Sequence, residues 1–156
     1  MKLTIIAVGK PKPGPYRELI RSYEERLARF CQFSAIELKE ASGSLEEARK
    51  REAEAIHGRI ERLKNRSCVV IALDGNGEQL TTEEFAELMN DLSAQGRECV
   101  IVLGSHAGLD ESIRAIADRS ISLGKLTLPH QLARLVLTEQ LYRAFSIIAG
   151  HPYHRA

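Results

Sequence analysis

Cys68-Val69-Val70-Ile71-Ala72-Leu73, followed by Asp74-Gly75-Asn76-Gly77, decides the fold. Six apolar residues without alternation mark a strand covered on both faces, and the Asp/Asn/Gly turn ends it. Next, Thr81 and Glu84 form a capping-box pair, and Phe85, Leu88, Met89 and Leu92 recur at helical spacing. Gly96 stands where a helix C-terminal cap belongs, before a second unbroken apolar run, Cys99-Val100-Ile101-Val102-Leu103, that stops at Gly104. Strand, helix and strand, both strands wholly apolar, read as a parallel unit, because crossover helices are what cover both faces of a sheet.

The same alternation extends outward. Leu3-Thr4-Ile5-Ile6-Ala7-Val8 is a strand ended by Gly9, and the proline-rich Lys10–Pro15 is a loop. Pro15 suits a first helical turn, and Tyr16, Leu19, Ile20, Tyr23, Leu27 and Phe30 follow at helical spacing. Phe33–Leu38 alternates as a strand, and Ser44 with Glu47 opens a charged helix running to about Asn65. Downstream come a short helix from Asp110 to Asp118, a strand Ser120–Leu123, a loop Gly124–Pro129 and a long helix to about Ala149. The expected class is α/β, a mostly parallel sheet with helices on both faces, in one domain over residues 1–156 without linkers or repeats.

At this length a domain buries roughly 70% of its unfolded surface and needs no covalent staples. Three cysteines, Cys31, Cys68 and Cys99, with no C-x-x-C pair, fit a reduced, cytoplasmic protein. No stretch reads as a membrane span or a signal segment. The net charge of +1 hides a polarity along the chain. Residues 1–73 carry 15 Lys/Arg against 10 Asp/Glu, residues 74–124 carry 3 against 10, and residues 125–156 carry 4 against 1 with three of the five histidines. Basic ends can steer a polyanion; a solvated mixed-charge face explains the same counts.

The last helix carries Leu132, Leu135, Val136, Leu137, Leu141, Ala144, Phe145, Ile147 and Ile148 around more of its circumference than one core stripe needs. Either a second copy covers the excess, giving a homodimer, or the helix is central within one chain.

In an open parallel sheet ligands bind at the carboxyl ends of the strands, which selects the loops Asp74–Leu80, Gly104–Leu109 and Gly124–Pro129. The phosphate-loop motif G-x-x-x-x-G-K-[ST] is absent, and no strand is followed by G-x-G-x-x-G. His151 and His154 lack a nearby carboxylate or thiolate, so no metal site is expected. Ser105-His106 leaves open a hydrolase-like reading, and the basic ends leave open a non-catalytic RNA- or ribosome-binding module. The tail His151-Pro152-Tyr153-His154-Arg155 gathers side chains that stack on bases, move protons and hold phosphate.

Four segments carry a resemblance: Met1-Lys2-Leu3 with Ala7-Val8-Gly9-Lys10, Leu123-Gly124-Lys125-Leu126-Thr127-Leu128-Pro129-His130, Glu139-Gln140-Leu141-Tyr142-Arg143-Ala144-Phe145, and Pro152-Tyr153-His154-Arg155. Together they resemble the bacterial RlmH family, the pseudouridine N3-methyltransferases of large-subunit (23S) ribosomal RNA in the SPOUT class. The resemblance implies a deep C-terminal trefoil knot, a homodimer, and S-adenosylmethionine held at Leu73, Gly104 and Leu123 through Leu128. It further points to Tyr153, His154 and Arg155 as catalytic residues, the tail serving either its own pocket or the partner subunit's, with His130, Arg134 and Arg143 lining the substrate site. Ribosomal RNA, free or on the ribosome, is the implied partner. One position departs from the pattern: Ser105 stands where the family usually has a second glycine. If that position needs a positive φ, the serine is strained by roughly 1–3 kcal/mol.

Overall fold

A computed structural model describes residues 1–63 and 68–154, with only the backbone of His154. The chain alternates strands and helices as β1 (Lys2–Val8), α1 (Pro15–Leu27), β2 (Gln32–Leu38), α2 (Leu45–Leu63), β3 (Cys68–Gln79), α3 (Thr82–Ala94), β4 (Glu98–Leu103), α4 (Glu111–Ile116), β5 (Arg119–Ser122) and α5 (His130–Ile148), and a single 3-10 turn, Pro152–His154, follows. Asn65, the expected end of the α2 helix, lies outside the described residues. The five strands form one sheet in the order β2-β1-β4-β3-β5, with every pairing parallel.

Side-chain alternation divides the apolar strands between two cores. Leu3, Ile5, Val69, Ile71, Cys99 and Ile101 pack with α1, α3 and α5 on one face. Ile6, Val8, Val70, Ala72, Val100 and Val102 pack with α2 and α4 on the other. Each fully apolar strand therefore feeds both layers, as the absence of alternation requires. β2, at the sheet edge, is exposed at most positions, which explains its mixed sequence. Thr81 caps α3 with both halves of the capping box formed, and Ser44 and Glu47 make the same exchange ahead of α2.

Two local results differ from the sequence expectation. Asp74–Gly77 does not terminate β3: the strand slips register and rejoins β5, so that Ile121 stands opposite both Leu73 and Glu78. Gly77 allows it, since a Cβ there would lie 2.6–2.8 Å from the Ile121 backbone. The tail, read from the sequence only as groups that stack on bases, move protons and hold phosphate, is itself docked: Tyr153 stacks edge-on against Tyr142 with ring centroids 4.6 Å apart.

α5 runs between α1 and α3. This position accounts for Leu137, Leu141, Ala144 and Phe145, all buried, and leaves Leu132, Leu135 and Val136 half-buried. Among the described residues no helix is long and apolar enough to cross a membrane.

Candidate functional site

The strand order creates a crevice. α3 leaves β3 toward one face of the sheet while α4 leaves the adjacent β4 toward the other, so the two chain paths diverge above the strand ends. The slipped segment of β3 at Asp74–Asn76 and the loops after β4 and β5 close around the gap, giving a cavity of about 440 Å³. That is within the usual range for a small-molecule site. Its walls include Leu73, Gly104 and the whole run Leu123-Gly124-Lys125-Leu126-Thr127-Leu128, with His106 and His130 beside them. A larger depression at Met1, Phe30 and Arg97 is shallow and lies at the opposite strand ends.

The loop after β5 has no regular structure, and Leu126 is 83% exposed, a large apolar side chain held out at the cavity. Ser122 fastens this loop: its Oγ donates toward the carbonyls of Gly75 and Gly124 and accepts the Gly124 N–H. The loop after β4 is closed on itself, and a Cβ on Gly104 would meet the Gly108 carbonyl group at 2.7–2.8 Å. Glycine there is a requirement of close approach within the loop.

No described residue other than glycine has a positive φ, so Ser105 carries no backbone strain. Its side chain is buried and donates to Glu52 Oε2 at 2.8 Å. The neighbouring His106 instead faces Glu40, with Nδ1 4.0 Å from Oε2, and His130 Nε2 lies 3.5 Å from the same carboxylate. A serine buried against a carboxylate, with its imidazole neighbour turned elsewhere, does not make the nucleophile and base of a hydrolase.

A second cluster sits further along α5. Glu139 accepts from Arg143 Nε and Nη2 and, at 3.2 Å, from the Tyr153 hydroxyl. The Tyr153 and Tyr23 hydroxyls are 3.1 Å apart, and the Arg143 guanidinium lies 5.0 Å from the Tyr153 ring centre. Burial, the Tyr23 hydrogen bond and the Glu139 charge push the Tyr153 phenol well above its usual range. It is therefore neutral near pH 7, suited to stacking and orienting but not to removing a proton. Hydrogen bonding to Glu139 likewise holds Arg143 firmly protonated.

Arg134 sits between these regions, 4% exposed, donating to Glu37 Oε1 at 2.9 Å and Glu24 Oε1 at 3.0 Å. The guanidinium joins α5 to β2 and α1, with little surface left for a substrate. Arg155 lies outside the described residues, as does the side chain of His154. The structure thus unites the eight cofactor positions and His130, and separately unites Arg143 with Tyr153. It does not bring the two groups together: nine to thirteen residues of helix from His130 to Glu139 and Arg143 span roughly 14–20 Å. Glu139, Tyr23 and Glu52 are not among the candidate site residues read from the sequence. Only Glu139 carried a signal, its i, i+4 spacing ahead of Arg143.

Residues 1–154 match the model described as "Predicted SPOUT methyltransferase". The chain belongs to the SPOUT methyltransferase family. Within it, relatives named Ribosomal RNA large subunit methyltransferase H are 42% identical in Acetivibrio thermocellus, over 99% of this chain and 100% of that protein, and 43% identical in Allorhizobium ampelinum, over all of both. These full-length matches place it in the RlmH branch of the SPOUT family. At the level of fold, a probable methylase family protein from Haemophilus influenzae superposes with a TM-score of 0.58 at 15% identity, over 97% of this chain and 69% of that one. The SpoU methyltransferase AviRb from Streptomyces viridochromogenes, solved in complex with AdoMet, gives 0.52 at 17% identity, over 96% and 59%. Among the described residues no group of histidine, cysteine and carboxylate side chains could hold a metal ion.

Proposed function

We propose that this chain transfers a methyl group from S-adenosylmethionine to N3 of a pseudouridine in 23S ribosomal RNA, on the assembled ribosome in the cytoplasm. It acts as a homodimer of one domain over residues 1–156, its C-terminal part threaded as a deep trefoil knot. The observation that carries the reading is the convergence of three strand-end loops on one cavity in a chain of a methyltransferase family. The names of the full-length relatives support the RNA substrate, and the AdoMet bound to AviRb supports the cofactor.

The residues present fit that cofactor. Leu73, Leu123, Leu126 and Leu128 offer apolar surfaces for an adenine, while the backbone at Gly104, Gly124, Lys125 and Thr127 offers polar groups for its edges. When bound, S-adenosylmethionine supplies an electrophilic methyl group. The chain's task is then alignment, which contributes on the order of 7–11 kcal/mol in well-oriented reactions, and removal of the N3 proton. We assign that proton to the His154 imidazole, a positioned base being worth roughly 10²–10⁴-fold. Arg155 holds a phosphate, neutral Tyr153 orients the base, and Arg143 and His130 line the substrate site. Arg134 acts by fixing α5, its guanidinium being held by two carboxylates. Because the tail is anchored far along α5 from the cavity, it serves the pocket of a second copy, with Leu132, Leu135 and Val136 in the contact.

Mass spectrometry of 23S ribosomal RNA from a strain lacking the gene tests the reading. The expected result is loss of one methyl group on one pseudouridine, restored by the gene; unchanged RNA overturns it. Calorimetric titration with S-adenosylhomocysteine tests the cofactor directly, and absence of binding removes that assignment.

A further inference from the structure

The cofactor loops differ in what holds them. The slipped Asp74–Gly77 segment of β3 is pinned by the pairing with β5 on either side of it, and the loop after β5 by Ser122. The Gly104–Leu109 loop has its footing outside the sheet, on α2. Ser105 donates to Glu52 Oε2 at 2.8 Å and also accepts the Ala107 N–H at 3.1 Å, so one hydroxyl both shapes the turn and ties it to the helix. One turn earlier on α2, Arg49 Nε donates to the Ala107 carbonyl at 3.0 Å. Glu52 is 3% exposed, and its other oxygen accepts the Ala41 N–H at 3.1 Å. A carboxylate is costly to bury without such donors, so this one is committed to both.

We propose that Glu52 is a positioning residue for methyl transfer, acting through Ser105 to hold the Gly104–Leu109 loop in the shape that receives the cofactor. The inference rests on the S-adenosylmethionine reading above and adds a residue in α2, away from the cavity, on which cofactor affinity depends. The Ala41 contact extends the device: it draws the segment before α2 toward the same site, and the adjacent Glu40 faces both His106 and His130 at the cavity rim.

The test is a double-mutant cycle on the full-length protein with Ser105→Ala, Glu52→Gln and the combination, reading S-adenosylhomocysteine affinity by calorimetry, thermal stability, and KM against kcat for methylation. Ser105→Ala removes the donor without adding bulk, and Glu52→Gln keeps the shape but cannot accept from both partners at once. A hydrogen bond to a buried charge is worth on the order of tenfold in an equilibrium constant. Ser105→Ala is therefore expected to raise Kd and the cofactor KM about tenfold, and Glu52→Gln by several fold, with kcat at saturating cofactor within about twofold of wild type. In the double variant the losses should not multiply, since both remove one interaction. Folded variants that bind with wild-type affinity overturn the proposal, as do losses that multiply fully. So does a fall in Tm with Kd and KM unchanged, which is what purely structural burial would give. Failure of the wild type itself to bind would instead overturn the cofactor reading, and this inference with it.

Discussion

The cavity loops and the C-terminal tail are held by opposite means. The loops are continuations of buried strands, and their shape comes mainly from backbone, a register slip beside Ile121 and a closed turn at Gly104, with the hydroxyls of Ser122 and Ser105 fastening them locally. The tail after α5 is docked chiefly through one ring, Tyr153, against Tyr142, Tyr23, Arg143 and Glu139. Away from the Ser105–Glu52 tie, a site made mainly of backbone tolerates changes of side-chain chemistry but not of volume at its glycines. A tail held by one side chain can be altered beyond that anchor without disturbing the rest.

The largest expected effect follows from that contrast. A chain ending at Tyr153, lacking His154 to Ala156, keeps the ring that docks the tail and removes the groups assigned to the proton and the phosphate. Single-turnover methylation of ribosomes should fall by roughly 10²–10⁴-fold, with S-adenosylhomocysteine affinity within about twofold of wild type. Wild-type turnover in that protein would erase the catalytic role of the tail. Within the full chain, His154→Ala should lower turnover more than binding, whereas Arg155→Ala should weaken RNA binding and reduce its salt dependence.

Next comes Gly104→Val. The added side chain would strike the Gly108 carbonyl before it met any ligand, so the loop itself must open. Overpacking of this kind costs about 1–3 kcal/mol, and cofactor affinity should fall roughly 10–100-fold while methylation falls in parallel. Retained affinity in a folded variant would mean that the cavity is not the cofactor site.

The tail anchor gives a subtler test through pH. Tyr153 is held protonated in the folded chain, above the value of about 10 that it takes when unfolded. The folded state then binds more protons than the unfolded state in that range, so the contribution of Tyr153 is complete below about pH 10 and declines as pH rises beyond it. Burial pushes the Cys31 thiol up to about 11, with the same sign. Denaturation followed from pH 8 to 11 should show a decline in wild type that is shallower in Tyr153→Phe. Equal slopes would place the ring free of Tyr23 and Glu139 in solution.

The fold and the cavity were legible in the sequence for one physical reason: strands covered on both faces must be apolar throughout, and helices between them need caps. Cys68–Leu73, Cys99–Leu103 and the Thr81–Glu84 box announce themselves, and strand ends in an open sheet then locate the loops. What was not legible depended on contacts between residues distant in the chain. Nothing near Ser105 indicates that Glu52, 53 positions earlier, accepts its hydrogen bond, nor does anything near Tyr153 name Tyr23, 130 positions away. Arg134 illustrates the same limit, since a cation in a basic C-terminal segment suggests a substrate contact until Glu24 and Glu37 are found against it.

The smallest effect should come from Arg114, which spans two of the cavity loops. Its Nη1 donates at 2.9 Å both to Asp74 Oδ2, after the apolar part of β3, and to the Leu109 carbonyl, after β4. If backbone continuity with the sheet holds these loops, a bridge of this kind adds little, because the Arg114 side chain is 40% exposed and water screens its charge. Arg114→Ala should cost no more than about 1 kcal/mol, which for a domain of this size lowers Tm by roughly 2–4 °C. Cofactor affinity should change by less than about threefold, and raising salt toward 1 M should narrow the gap between the two proteins, since the Debye length there is about 3 Å. A tenfold loss of affinity would reverse the comparison. The loops would then be fastened to one another by side chains, as the tail is, and the backbone account of the cavity would have to yield to one in which Asp74 and Arg114 set its width.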